Sequence, residues 1–247
     1  MWIKDKEIPE KGVEFKIFNS IFLFKPFPEG VNFYQQKEGK WNLLNILSVE
    51  RENLKFSLLP KPYELPVFVR FEQTLDIYPK REFNFFLQIP FKCSLRLESG
   101  SESWEIIEVE EKSLKQIWDA QVTSPPGFLY YYFVSPLMLN YLSQKSVFPF
   151  IPLKLINPTK GVVRVQRVII DEKYLNIYIL KQKLITGVVE VSLTKEGRAK
   201  AKYVPGTLSE LKEKSKLFMH SSAAFSPATQ RIFSPIKKLR SIFEIEY

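Results

Sequence analysis

The residues in this chain best placed to do chemistry are cations and aromatic rings at strand spacing. In Arg198-Ala199-Lys200-Ala201-Lys202-Tyr203, a period of two puts Arg198, Lys200 and Lys202 on one face of a strand and Ala199, Ala201 and Tyr203 on the other. Tyr174, Asn176 and Tyr178 alternate in the same way against Leu175, Ile177 and Ile179. Arg164 and Gln166 extend the polar set, and Arg167 breaks the phase, which predicts a bulge. Cations that follow phosphates beside rings that stack on bases are how sheet surfaces hold single-stranded nucleic acid. The five candidates for such a site are Arg198, Lys200, Lys202, Tyr174 and Tyr178. The plain counterpart is a solvated sheet face whose lysines deter edge-to-edge aggregation.

Other chemistries find little support. The chain has one histidine, His220, and one cysteine, Cys93, so neither a Cys/His zinc site nor a disulfide framework is available. Cys93 lies in an apolar run and reads as a small core residue. His220 closes a stretch read as a helix, where an imidazole meets the last carbonyls. There is no GxxxxGK[ST] or GxGxxG phosphate cradle and no G-x-S-x-G elbow. Glu105, Glu108, Glu110 and Glu111 form an acidic cluster, read as a solvated strand face and loop; a carboxylate pair of the glycosidase kind stays open as a rival. The expectation is a non-enzyme with no cofactor and no metal.

Composition narrows the class. Aromatic residues make up 15% of the 247, with 17 Pro and only 9 Gly, which favours strands joined by stiff loops. Residues 1–125 hold 17 Lys and Arg against 19 Asp and Glu, whereas residues 126–247 hold 19 against 8. The positive charge therefore belongs to the second half, where it would attract an anionic partner. The uncharged stretch 120–144 is broken by Ser135-Pro136 and Asn140 and reads as two buried strands, too short in its apolar heart for a spanning helix. The first residues lack the apolar core of a signal peptide, and the thiol content fits a reducing compartment, so the expected location is the cytoplasm.

Those side chains need strands to hold them. Apolar runs of period two recur with turn residues every 8–12 positions along the chain. Glu38-Gly39-Lys40 marks a hairpin, and Pro66 sits near a strand start. Leu153–Ile156, Val162–Ile170, Tyr174–Leu180, Leu184–Leu193 and Arg198–Val204 read as a meander. Ser113–Asp119 reads as a helical turn. Thr207-Leu208-Ser209-Glu210 matches a capping box, which predicts one helix over about 207–219. The tail repeats Phe-Ser-Pro at 225–227 and 233–235, a turn signal first. The predicted fold is all-β: two packed Ig-like or β-sandwich halves, 1–123 near-neutral and 124–247 basic, with one C-terminal helix.

Three stretches carry a resemblance. They are Leu75–Phe91 (strand, Tyr-Pro-Lys turn, strand, Ile-Pro), Gly127–Leu137 (an aromatic run into Ser-Pro-Leu) and Pro152–Ile170 (Pro-Leu-Lys-Leu-Ile-Asn-Pro-Thr, then Val-Arg-Val-Gln-Arg-Val-Ile-Ile). In them the chain resembles an uncharacterised family of archaeal and thermophilic bacterial proteins, domain of unknown function 432. The resemblance implies a β-rich cytoplasmic protein with no established activity and carries no functional residue over. A Lys/Glu-rich chain poor in Cys and His also fits a thermophile. The expected function is a binding or scaffold module acting through a protein partner. The alternatives are weak, sequence-tolerant binding of single-stranded nucleic acid or another polyanion, and a carboxylate-dependent, carbohydrate-active hydrolase.

Overall fold

Phe, Tyr, Val and Ile at alternate positions commit the chain to β structure, because each strand can bury one face and wet the other. The computed structural model describes residues 2–50, 53–111, 114–119, 128–140, 147–180, 183–194, 199–204, 206, 216–220 and 230–231. In chain order the first strands are β1 (Ile3–Glu7), β2 (Val13–Ile17), β3 (Ser20–Phe27), β4 (Gly30–Lys37), β5 (Lys40–Ser48) and β6 (Lys55–Lys61). Next come β7 (Val67–Ile77), β8 (Arg81–Gln88), β9 (Lys92–Ser99), β10 (Glu102–Val109), β11 (Lys115–Asp119) and β12 (Phe128–Ser135). Then follow β13 (Phe150–Asn157), β14 (Val163–Ile170), β15 (Ile177–Leu180), β16 (Lys183–Thr186) and β17 (Val188–Leu193). The last are β18 (Ala199–Val204), β19 (Lys216–Met219) and β20 (Gln230–Arg231). A 3-10 turn, Glu172–Tyr174, lies between β14 and β15.

The strands gather into two units, one of residues 1–61 with 91–113 and the other of 62–90 with 114–247. This partition differs from the division expected at 123/124. Strand pairing, not sequence proximity, sets it: β7 and β8 leave the first unit to pair with β12, β13 and β14.

The first unit is a sandwich of two antiparallel four-stranded sheets, β1-β6-β9-β10 and β2-β3-β4-β5. Phe15, Phe22, Phe24 and Phe33 from one sheet bury against Phe56, Leu58, Leu95 and Leu97 from the other. The turn Glu38-Gly39 takes φ of +51° and +76°, the left-handed pair a two-residue hairpin requires, and joins β4 to β5 as the sequence predicts. Gly30, at φ +155°, opens β4 so close to β5 that a Cβ would lie 1.9 Å from the Leu47 carbonyl oxygen.

The second unit stacks a mixed sheet, β11-β12-β7-β14, on a larger one built around β13. Phe71 of β7 meets Phe85 of β8 edge-on at 5.5 Å between the layers. Strand β8 pairs with β13 along its whole length, Phe150 to Asn157, so β16 and β17 share the opposite edge of β13. They are two segments of one strand, interrupted at Gly187, where a Cβ would stand 2.6 Å from the Val204 carbonyl oxygen. Beyond that strand, β15 pairs with β16 and β18 with β17. The pairs β12–β7, β13–β16 and β13–β17 are parallel, unlike the two antiparallel sheets of an immunoglobulin-like domain.

The all-β expectation holds, and so does the bulge: the β14–β7 register shifts between Val165 and Arg167. Three local expectations are corrected. The strands of the supposed meander are present, but β13 and β14 lie in different sheets, because their partners are distant in sequence. Residues 115–119 form strand β11 against β12 rather than a helical turn. Residues 216–219, the end of the expected helix, form strand β19, paired with β15; residues 207–215 lie outside the described residues, as do 221–229 and 232–247 of the tail. No helix among the described residues is long and apolar enough to cross a membrane.

Candidate functional site

The cationic candidates are only partly assembled. Lys200 and Lys202 project from β18 and are exposed; Arg198 lies outside the described residues. Their face also carries acids. Glu190, opposite Lys202 in register, approaches it to 3.8 Å, and Lys154 in the next strand bonds Glu82 at 2.7 Å. Each of these two lysines thus has a carboxylate at hand, which weakens the field a phosphate backbone would meet.

The tyrosines stand elsewhere. Tyr174 belongs to the 3-10 turn, and its ring packs 5.4 Å from that of Tyr203. Tyr203 alternates to the side of β18 opposite Lys200 and Lys202, and its hydroxyl accepts a hydrogen bond from the Asp171 amide at 2.8 Å. Burial pushes the Tyr203 phenol up, above the ordinary tyrosine range. Tyr178 is opposite Ile185 and packs against the cluster of Met138, Phe150, Leu180 and Ile185. Five residues of strand separate Ile185 from Glu190, roughly 16 Å. Arg164 and Gln166 are in the other sheet, bonded to Asp76 at 2.9 Å and Thr74 at 2.8 Å. The structure therefore brings Lys200 and Lys202 together, and neither tyrosine with them.

Three acids of the cluster, Glu105, Glu108 and Glu110, are paired with lysines of the first unit. Lys61 of β6 bonds Glu105 at 2.8 Å and also Glu108, while Lys92 lies 3.5 Å from both Glu108 and Glu110. Burial alone would raise the Glu105 carboxyl, but hydrogen bonding with Lys61, Glu108 and Ser94 outweighs it and holds the group below the ordinary carboxylate range. A depressed folded value gives stability that is complete above the unfolded carboxylate value of about 4.3 and is lost as pH falls through the lowered one. Urea midpoints measured from neutral pH downward are expected to fall on that acid limb, and Glu105→Gln is expected to flatten it. An unchanged limb in the variant would assign the acid sensitivity to other groups.

Cys93 is buried on β9 in the aromatic core. Desolvation pushes its thiol up to about 12. At ~pH 8 the folded chain is therefore expected to resist iodoacetamide and to alkylate only on unfolding, since the thiolate is the nucleophile. Mass spectrometry reads this directly, and rapid labelling of the native protein would contradict it. His220, directly after β19, is exposed.

A polar hollow of ≈ 610 Å³ opens at one end of the first unit, between the turns after β3, β5 and β9. Glu29, Glu50 and Glu102 line it with Ser48, Ser99 and Ser101. Ser99 is tied down, its hydroxyl donating to the Glu50 carbonyl at 2.7 Å.

The least expected surface is the outer face of β2-β3-β4-β5. Strand register sets its rows. Glu14, Leu23, Tyr34 and Leu43 stand side by side, next to Lys16, Ile21, Gln36 and Trp41. A third row holds Lys25, Asn32 and Ile46. The register slips between Phe33 and Tyr34, which leaves Leu44 as the extra residue of a bulge. Trp41, Leu43, Leu44 and Ile46 are 38%, 49%, 42% and 59% exposed. No charge occurs from Trp41 through Val49. The signal for this face was present in the sequence: alternation fails over 41–47, where apolar residues fall on both faces of an edge strand.

Two units, each built of packed β-sheets, with no helical layer among the described residues, define an all-β protein of sandwich-like architecture. The family model of DUF432, a protein family of unknown function, matches residues 7–233, and the chain belongs to that family. No curated protein matches the chain, and no solved structure does.

Proposed function

We propose that the protein is a non-enzymatic binding module of the cytoplasm that acts through a protein partner, and that the outer face of β2-β3-β4-β5 is its docking surface. The observation that carries this reading is the uncharged, exposed run Trp41-Asn42-Leu43-Leu44-Asn45-Ile46, set in register beside Tyr34, Leu23 and Ile21. Isolated surface apolar residues need no explanation, but contiguous ones rimmed by polar groups mark interaction sites. Here Lys25, Glu14 and Lys16 form part of the rim. A wet face serving only the fold would alternate, as β2 does with Glu14 and Lys16 outside and Phe15 and Ile17 within.

A photoreactive benzoylphenylalanine in place of Leu43 tests the assignment in living cells. Protein adducts at this position, and none with the same group in place of Tyr78 in the second unit, are the expected result. The absence of any protein adduct at position 43 would end the docking reading. The rival hydrolase would use the glutamates of the hollow; glycoside turnover abolished by Glu50→Gln and by Glu102→Gln would overturn the non-enzymatic one.

A further inference from the structure

We infer that the partner on this face is a second copy of the same chain, stacked face to face about a two-fold axis that runs across the strands. This inference rests on the docking reading above and adds the occupant. Glu14 and Lys16 are opposite charges two residues apart on the outer side of β2. A two-fold axis between their rows, lying in the interface and perpendicular to the strands, reverses strand direction while placing each strand over its own equivalent. Glu14 then faces Lys16 of the partner subunit, and Lys16 faces the partner's Glu14. The same operation sets Leu23 over the partner's Ile21, Tyr34 over the partner's Gln36 and Leu43 over the partner's Trp41. These two rows thus meet with ions on ions at the β2 margin, Leu23 on Ile21 and Leu43 on Trp41, and the ring of Tyr34 on the amide of Gln36. A two-fold axis parallel to the strands would instead press the ions of β2 onto Trp41 and Leu43, leaving them desolvated without partners.

Net charge permits the approach. The two segments of the first unit, 1–61 and 91–113, hold 13 Lys and Arg against 14 Asp and Glu, so the unit is nearly neutral although the whole chain is +9. Low net charge favours association. Size sets the strength. Strands about 4.8 Å apart and about eight residues long give a face of roughly 20 by 26 Å, about 1,000 Å² for the pair, at the lower limit for a specific interface. The dimer is therefore reversible and dependent on concentration.

Sedimentation equilibrium of the full chain tests it, over loadings around the ~1–100 µM expected of so small an interface. Wild-type protein is expected to pass from monomer to dimer over that range. K16E sets like charges opposite each other twice and is expected to raise Kd at least about tenfold. The exchange E14K/K16E restores opposite signs and is expected to restore the dimer. All three positions of the test are exposed, so the fold tolerates the changes. A chain monomeric throughout, or a dimer indifferent to K16E, would overturn the inference. An apolar dye, anilinonaphthalene sulfonate, separates this failure from that of the docking reading. Dye bound by a monomeric wild type and lost in Leu43→Ser would leave the face open to another protein and remove only the second copy. No dye binding by that monomer would remove both.

Discussion

Replacing Phe56 by alanine is expected to lower the unfolding free energy by about 3–5 kcal/mol, the range for emptying a buried phenylalanine site. Phe56 is fully buried on β6, in the sheet opposite the four-phenylalanine layer of β2-β3-β4-β5. Its ring lies 4.8 Å from Phe15 and 5.7 Å from Phe24, so one side chain touches both strands of the facing hairpin. Removing it forfeits the transfer energy and two ring contacts, and leaves a void that stiff sheets close poorly. Trp2 and Trp104 pack against the same core and make the change visible by fluorescence during urea unfolding. Phe56→Leu fills most of the volume and should recover over half the loss. A penalty under about 1 kcal/mol for the alanine variant would mean that the two sheets do not share one core.

Asn157→Ala is expected to cost about 2–4 kcal/mol, a large effect for so small a truncation, because it strands several buried groups at once. The Asn157 amide nitrogen donates to the carbonyl of Ile77 at 2.7 Å and to that of Gly161 at 2.8 Å. Its oxygen accepts from the Thr159 amide at 3.0 Å and from the Thr159 hydroxyl at 2.7 Å. Asn157 ends β13 and Ile77 ends β7, so this side chain ties the two layers of the second unit while shaping the loop that leads to β14. Thr159→Ala, which removes the hydroxyl's bond to Asn157 and the one it accepts from the Gly161 amide, is expected to cost nearer 1 kcal/mol. Denaturant midpoints at equal slope measure both. Equal penalties for the two variants would show that the loop, not the link to β7, carries the stabilisation.

Strands were legible in the sequence wherever burial is one-sided. Val13–Ile17 alternates cleanly and Phe83–Leu87 does so but for Phe86, and each is a strand with one apolar side turned to the core. Pairing was not legible. The period of β13 fits any neighbour, and only the tertiary structure gives it β8, about 70 residues earlier, in preference to β14. The helix expected near 207–219 rested on a capping pattern and a stripe of leucines, yet Phe218 is buried and Leu217 exposed in strand β19. Four residues of alternation against β15 override local propensity there. The basic face was half legible: alternation put Lys200 and Lys202 outward, but nothing local shows that Glu190 and Lys154 are their neighbours or that the ring of Tyr174 leans on Tyr203. The apolar face of β5 was readable as a departure from alternation.

The interleaved partition of the chain has a kinetic meaning. The first unit can close only after residue 109, when β10 exists to pair with β9, because β6 and β9 are separated by the whole excursion through β7 and β8. During synthesis that excursion emerges early and waits: β8 must stay unpaired until β13 appears, and β7 until β12 and β14 do. At about 5–20 residues per second the delay is several seconds, long compared with hairpin formation in microseconds. The waiting strands include Phe83-Asn84-Phe85-Phe86-Leu87, an uncharged stretch with the composition of an aggregating segment. The polar punctuation around it, Lys80-Arg81-Glu82 before and Pro90 after, is placed where a gatekeeper would be needed during those seconds.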